Sequence, residues 1–179
     1  EFSGRVRDAF IARGHDAVSC DLLPTDSPGP HYQGDVRDIL HDRWDMMIAH
    51  PPCTYLAGSG PRVPGRAALT EEALEFVRLL LTAPIPRIAL ENPIGCISSR
   101  IRKPDQIIQP WWFGEDASKA TCLWLKGLPL LKPTDIIRKA RYANQTPSGQ
   151  NKLGPSADRA KLRSLTYLGV AEAMASQWG

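Results

Sequence analysis

The chain has 179 residues, of which 42% are hydrophobic and 23% are charged, and its formal charge at pH 7 is +3. This length and composition favour one globular domain over residues 1–179 and exclude a fibrous or disordered protein. No apolar run is long enough to span a bilayer and no signal sequence is visible, so we expect a cytoplasmic protein without a membrane partner.

The first half of the chain predicts helices and strands in alternation. Apolar residues share one face over residues 4–13, which predicts a helix. Short apolar runs predict strands over 16–22 and 44–49. A second helix is predicted to start at Thr70, which can cap it, and to end before Pro84.

The second half continues the alternation. Further strands are predicted over 87–90, 107–113 and 120–125. Residues 126–155 are rich in Pro, Gly and Lys and predict a loop-rich basic segment. A last helix is predicted over 157–178, interrupted at Gly169. This order is typical of an α/β fold with a mainly parallel sheet and helices on both faces.

The start of the chain departs from that pattern. A doubly wound fold normally begins with a strand, and residue 1 stands just after the place where that strand would end. We therefore expect a first strand that is missing before residue 1. Such a strand would lie at the centre of the sheet.

The four cysteines are Cys20, Cys53, Cys96 and Cys122, and none of them forms a CxxC pair. Neither a zinc site nor a redox motif is therefore predicted, and no metal ligand is assigned. Three of these thiols are expected to be small buried hydrophobes. Cys53 is the exception, because it follows two prolines at the end of a predicted strand.

Polar residues at the ends of the first strands suggest a nucleoside pocket, because ligands of doubly wound sheets bind beyond the carboxyl ends of the strands. Gly4 allows a close approach to the backbone. Asp21 can bind ribose hydroxyls, and Asp35 can accept a hydrogen bond from an adenine amino group. A turn or cap residue is the structural alternative for each acid. No phosphate-binding loop motif is present, so a nucleoside triphosphate is not favoured.

Cys53 and Glu91 are the candidate catalytic pair. A thiol on a stiff, exposed turn is a candidate nucleophile. Glu91 ends a very apolar strand, where burial favours the protonated carboxyl group. A thiol and a protonatable carboxyl group suit addition to an electron-poor ring such as cytosine. The alternative for Cys53 is an ordinary loop cysteine.

The order of these residues resembles the DNA cytosine-C5 methyltransferase family. That family has a Phe-x-Gly cofactor motif, an acid after the second strand, a Gly-Asp-hydrophobic motif, a Pro-Cys motif and a Glu-Asn-Val motif. The corresponding residues here are Phe2-Ser3-Gly4, Asp21, Gly34-Asp35-Val36, Pro52-Cys53 and Glu91-Asn92-Pro93. The resemblance covers about residues 1–95 and implies a Rossmann-like S-adenosylmethionine-dependent methyltransferase fold.

The resemblance also implies roles for the residues. Cys53 would attack C6 of cytosine, Glu91 would contact N3, and Asn92 would shape the strand end. The cofactor S-adenosylmethionine would lie against Phe2, Ser3, Gly4, Asp21, Asp35 and Pro51. Pro52 would lie on the substrate side, and the partner would be duplex or single-stranded DNA.

The chain departs from the family in five respects. The cofactor motif lacks a second glycine after Gly4, and the residues after Cys53 are not those usual in the family. Pro93 replaces the valine of the Glu-Asn-Val motif. The family's cytosine-binding arginine motif is absent, and Lys119 stands near its place, although a lysine does not replace the bidentate arginine. The 179 residues also leave little room for a recognition domain, so sequence specificity would come from a protein partner or be loose.

Two basic segments are candidates for nucleic-acid contacts. Residues 57–67 are rich in Gly and Pro and carry Arg62 and Arg66, which would close over a flipped base and touch phosphate. Residues 138–163 hold seven basic residues and one acid, as expected for a polyphosphate partner. A flexible connector and a solvated surface are the respective alternatives. The cluster Trp111-Trp112-Phe113 would stack on bases or, more commonly, pack in a core.

The prediction is therefore methylation of cytosine C5 in DNA. One alternative is C5 modification of a free pyrimidine nucleotide or of single-stranded nucleic acid, which would need no recognition domain. The other is a catalytically silent module that binds DNA or the cofactor, which would account for the missing arginine motif.

Overall fold

The computed structural model describes residues 1–58, 63–149, 151–154, 156 and 159–179. The helices are α1 (Arg5–Ile11), α2 (Arg66–Thr82), α3 (Ile97–Arg100), α4 (Arg159–Ser164) and α5 (Leu168–Trp178). The strands are β1 (Ser19–Asp21), β2 (His31–Gln33), β3 (Met46–Ala49), β4 (Arg87–Pro93), β5 (Gln106–Ile108) and β6 (Thr121–Lys126). The protein is thus an α/β protein. In the part of the chain that is described, no helix has the length and apolar character needed to cross a membrane.

The chain divides into two compact units. The first unit comprises residues 1–35, 109–119 and 131–179, and the second comprises residues 36–108 and 120–130. In the first unit β1 and β2 form a two-stranded parallel sheet, and α1 packs against α5. The second unit contains a four-stranded sheet with the strand order β3-β4-β6-β5.

The four-stranded sheet is mixed rather than mainly parallel, which corrects the expectation. β3 and β4 are parallel, with α2 as the crossover between them, as parallel neighbours require. β6 is antiparallel to both β4 and β5. The described chain between β5 and β6 contains one 3₁₀ turn (Pro110–Trp112) and no crossover helix, so β6 runs back beside its neighbours.

The core of the second unit explains the position of β4. Ile88, Ala89 and Leu90 have no exposed surface, because β4 lies between two strands and is covered by other apolar side chains. From α2 the buried residues Leu74, Val77 and Leu80 face inward at three-residue spacing. β4 is therefore a rigid support for the polar residues at its carboxyl end.

Several predicted boundaries shift. α2 begins at Arg66 rather than Thr70. The strand predicted over 107–113 is shorter, because Pro110 begins the 3₁₀ turn. The predicted last helix is two helices whose break precedes Gly169, which lies inside α5. β2 has no counterpart among the predicted strands, since three mixed residues carry no periodic signal.

Candidate active site

Cys53 lies on a short turn directly after β3. Leu56 N and Ala57 N donate to the carbonyl oxygen of Cys53 at 3.1 and 2.9 Å, which closes the turn. Two prolines precede the thiol and fix the backbone that leads into it. Cys53 and Pro52 are exposed, whereas Pro51 is buried. The thiol is therefore held at the surface by a rigid segment of chain, which we call the thiol turn (residues 50–57).

The end of β4 and the chain just beyond it anchor the thiol turn. Nδ2 of Asn92 donates to the carbonyl oxygen of Pro51 at 2.8 Å. Cys96 N donates to the carbonyl oxygen of Leu56 at 2.8 Å, and a β-bridge joins Ala57 to Gly95. The turn is thus fastened on both sides of Cys53, and two predicted catalytic residues, Cys53 and Asn92, belong to one connected arrangement.

His50 joins this arrangement through Glu91. Nδ1 of His50 lies 2.9 Å from Oε2 of Glu91, and both side chains are largely buried, with 17% and 13% of their surface exposed. Where the imidazole carries its proton on Nδ1, it donates to Oε2 of Glu91, which can accept whether the carboxyl group is ionised or protonated on its other oxygen. The sequence interpretation gave His50 no role. The strand register explains the contact. Ala49 pairs with Leu90, and His50 and Glu91 are the next residues along the two segments.

Two buried polar atoms at this place lack hydrogen-bond partners among the described residues. They are Nε2 of His50 and Oδ1 of Asn92. Each such unpaired atom lowers the free energy of unfolding by on the order of 1–3 kcal/mol. Unpaired buried polar groups are rare enough in proteins that each needs an explanation, and a catalytic role is a common one. The Glu91–Asn92 end of β4 is therefore a polar site with unpaired buried atoms, anchored to the thiol turn.

Cys122 lies beside the same strand end. It pairs with Asn92 in the register of β4 and β6, and it is buried. Burial raises the pKa of the Cys122 thiol, and the nearby negative charge of Glu91 raises it further. The two cysteines of this region therefore differ in kind, with Cys53 open to solvent and Cys122 protected as the neutral thiol.

The first turns of α2 also contact the thiol turn. Nη2 of Arg66 donates to the carbonyl oxygen of Ala57 at 3.1 Å, and Oγ1 of Thr70 donates to that of Tyr55 at 3.1 Å. Arg66 thus fixes the two ends of the Gly- and Pro-rich segment to each other. Arg62, the other predicted phosphate contact of that segment, lies outside the described residues.

Two of the predicted cofactor residues meet at one end of the small sheet in the first unit. Asp21 ends β1, and Asp35 follows β2 by two residues. Gly34 N donates to the backbone oxygen of Asp21 at 2.9 Å, which holds the two strand ends together. Oδ1 of Asp21 accepts from Leu23 N at 3.0 Å. The two acids thus stand at the carboxyl ends of neighbouring parallel strands.

The turn at Phe2, Ser3 and Gly4 does not form an open cradle. All three residues are buried, and Gly4 has φ 70°. A Cβ at Gly4 would overlap Nη2 of Arg7. The space that the missing side chain of Gly4 leaves is thus filled by the guanidinium group of Arg7. This part of the predicted nucleoside pocket does not fit a bound cofactor in the described arrangement.

Arg7 is a buried organiser of the first unit. Its guanidinium donates to Oγ of Ser19 at 3.1 Å and to the carbonyl oxygen of Ser27 at 3.0 Å, and it pairs with Asp8 at 2.7 Å. Only 3% of Arg7 is exposed. It therefore fastens the loop after β1 to α1, the same loop that follows Asp21.

Lys119, the predicted substitute for an arginine, is engaged within the first unit. Its Nζ donates to the carbonyl oxygen of Arg163 at the end of α4 at 3.0 Å. The same ammonium group lies 6.0 Å from the centroid of the Tyr167 ring. This arrangement gives Lys119 a structural role at a helix C-terminus, where a cation is favourable.

No protein-family model matches the chain, and a search of curated proteins finds no match.

Proposed function

We propose that the chain is an S-adenosylmethionine-dependent methyltransferase that acts on C5 of cytosine in DNA. The observation that carries the proposal is the fastening of the Cys53 turn to Asn92 through Pro51 on one side and to Cys96, just beyond β4, through Leu56 on the other. A nucleophilic thiol and a carboxyl group on one rigid support are what addition to a pyrimidine ring requires.

The chemistry of the substrate assigns a task to each side chain. The thiolate sulfur of Cys53 would form a bond to C6 of cytosine while a protonated Glu91 delivers its proton to N3, so the ring gains an electron-rich C5. The methyl group would pass to C5 from S-adenosylmethionine, whose sulfur would keep the electron pair of the broken bond as a neutral thioether. A base would then remove the C5 proton, the electrons of that C–H bond would expel the Cys53 thiolate from C6, and the N3 proton would return to Glu91. His50 acts on Glu91 by donating from Nδ1 to Oε2, which fixes the orientation of the carboxyl group.

Asp21 and Asp35 would hold the ribose and the adenine of S-adenosylmethionine, which supplies the methyl group when bound. The proposal leaves Phe2, Ser3 and Gly4 out of direct contact, because Arg7 fills the space at Gly4. The finer fold assignment, a Rossmann-like methyltransferase fold, belongs to the same proposal. It is supported by one parallel strand pair in each unit, with Asp21 and Asp35 after the strands of the first pair and Cys53 after a strand of the second.

A product-resolved transfer assay tests the proposal. The protein is incubated with S-adenosylmethionine labelled in the methyl group and, in parallel, with duplex DNA, single-stranded DNA or dCMP, and the products are digested and identified by mass spectrometry. We expect 5-methylcytosine in DNA, its complete loss in Cys53→Ser, and its retention in Cys96→Ser, a matched thiol control beyond β4.

Each other outcome selects an alternative. Labelling of dCMP alone would assign the chain to free pyrimidine nucleotides and overturn the DNA substrate. Cofactor binding without any methylated product would assign it to a silent binding module. Product formation that survives in Cys53→Ser would overturn the thiol mechanism itself.

A further inference from the structure

The basic stretch after β6 is not a loose connector where it crosses residues 134–144. Asp135 N and Ile137 N donate to the carbonyl oxygens of Trp112 and Trp111 at 3.1 and 2.9 Å. Asn144 bridges to Ser118 with both polar groups of its side chain, at 3.0 and 2.9 Å. The described residues between Lys126 and Arg159 form no helix or strand, yet this part has a fixed course along residues 111–118.

A stacked aromatic pair lies on this loop. The rings of Trp111 and Tyr142 have centroids 6.1 Å apart and an interplanar angle of 15°. The hydroxyl group of Tyr142 donates to the carbonyl oxygen of Ile137 at 3.2 Å, which fixes the tyrosine. Trp112 meets Trp111 edge-on at 5.8 Å. Trp111 and Tyr142 remain partly exposed, so this fixed pair is not a closed core.

Three cations, Arg138, Lys139 and Arg141, lie within the four residues before Tyr142, and one of them is used within the loop. Lys139 pairs with Asp116 at 2.6 Å. This hydrogen bond, with one from Ala143 N, keeps the pKa of the Asp116 carboxyl group below its usual range, so the tie persists at neutral pH. Arg138 and Arg141 are exposed, and neither has a hydrogen bond or ion pair with any residue that the structure describes.

We propose that Trp111, Tyr142, Arg138 and Arg141 form a surface that binds single-stranded DNA. The guanidinium groups contact phosphates, for which their planar forks are suited. The partly exposed rings stack on an unpaired base, which every base permits. A duplex keeps its base faces stacked inside and is read in its major groove by a helix or a β-ribbon, whereas this surface is a loop with aromatic faces. We call these four residues the aromatic–basic surface.

The choice of DNA rests on the proposed function, but binding is measured without catalysis. Cys53→Ser protein without cofactor is titrated into fluorescein-labelled oligodeoxythymidine of about 16 nucleotides, an upper site size for such surfaces. Fluorescence anisotropy gives Kd over a range of salt concentrations. The variant Arg138→Ala/Arg141→Ala changes only exposed side chains. Its matched control, Arg13→Ala/Arg78→Ala, removes the same charge from two exposed arginines elsewhere.

We expect Arg138→Ala/Arg141→Ala to raise Kd about tenfold or more, because each lost charge-assisted contact weakens binding substantially. The slope of log K against log salt should fall by about 1.4, or about 0.7 for each phosphate contact. The control should stay within about twofold of the parent protein. Tyr142→Ala should raise Kd by about 5- to 150-fold, the effect of losing one stacked base.

Two results would overturn the proposal. The first is a failure of the expected binding: either oligodeoxythymidine does not bind at low salt, or Arg138→Ala/Arg141→Ala has the same Kd as the control. The other is tighter binding of a duplex of equal length that depends on the arginines and not on Tyr142. Failure of the methyl-transfer assay is a separate outcome. A chain that binds single-stranded DNA through this surface but methylates nothing would keep this proposal and overturn the proposed function.

Discussion

Nδ1 of His50 lies 2.9 Å from Oε2 of Glu91. The two residues directly follow Ala49 and Leu90, the last paired residues of the parallel strands β3 and β4. The contact connects the segment that carries the thiol to the strand that carries the acid. Because the carboxyl group is held from one side by an imidazole donor, its orientation does not depend on a bound substrate.

The His50 contact predicts a kinetic effect without loss of the fold. His50→Leu should lower the single-turnover rate of methyl transfer by about 10- to 100-fold, the value of one hydrogen bond to a charged group. His50→Asn keeps a side-chain N–H near the position of Nδ1 and should recover part of that rate. Urea unfolding of both variants controls for stability. Equal rates in His50→Leu and the parent protein would contradict the positioning role.

Asn92 should be needed for stability as well as for the site. It is 2% exposed, and its amide donates to the Pro51 carbonyl oxygen. Asn92→Asp keeps the shape of the side chain and its unpaired oxygen but replaces the donor with an acceptor, so it should lower the free energy of unfolding by at least about 1–3 kcal/mol in urea titrations. Thr54→Ala, an exposed change on the same turn, should stay within about 0.5 kcal/mol. Similar losses in the two variants would argue against the anchor.

Arg7 should dominate the stability of the first unit. Arg7→Met leaves Oγ of Ser19 and the carbonyl oxygen of Ser27 without their donor and should cost about 1–3 kcal/mol for each acceptor left buried and unpaired, whereas Asp8, which is 43% exposed, loses little. Arg13→Met removes an exposed arginine that pairs with Glu172 at 3.5 Å and should cost at most about 1 kcal/mol. Thermal and urea unfolding measure both changes. An Arg7→Met protein as stable as Arg13→Met would contradict the organising role.

The cysteines should react with iodoacetamide in a defined order. Cys53 is exposed and should be alkylated first in the folded protein. The raised pKa of Cys122 reduces its thiolate fraction at any pH below that pKa, and burial excludes the reagent, so Cys122 should react only after unfolding. Peptide mass spectrometry at several times resolves the sites.

The variant Cys53→Ser is the control for that order, because it should lack the earliest alkylation seen in the parent protein. Raising the pH in the folded state should leave Cys122 protected, because burial rather than ionisation alone limits the reaction of this thiol. Alkylation of Cys122 in the folded protein at the rate of Cys53 would contradict the described packing.

The sequence alone determined the alternation of elements and the exposure of the thiol. Apolar runs that end at Ala49 and Leu90 mark β3 and β4, and in β4 the run is continuous because the strand is buried on both faces. Two prolines before Cys53 favour a stiff turn, and the structure has one there. These are local properties, and the residues that carry them lie next to one another in the chain.

Only the tertiary structure decided which residues meet. The contact of His50 with Glu91 depends on the register of two strands separated by a helix, and the mixed sheet depends on β6 lying beside β4. The occupation of the space at Gly4 by Arg7 depends on the course of the loop after β1. Such contacts join residues far apart in sequence, so periodicity, which reports only local burial, carries no information about them.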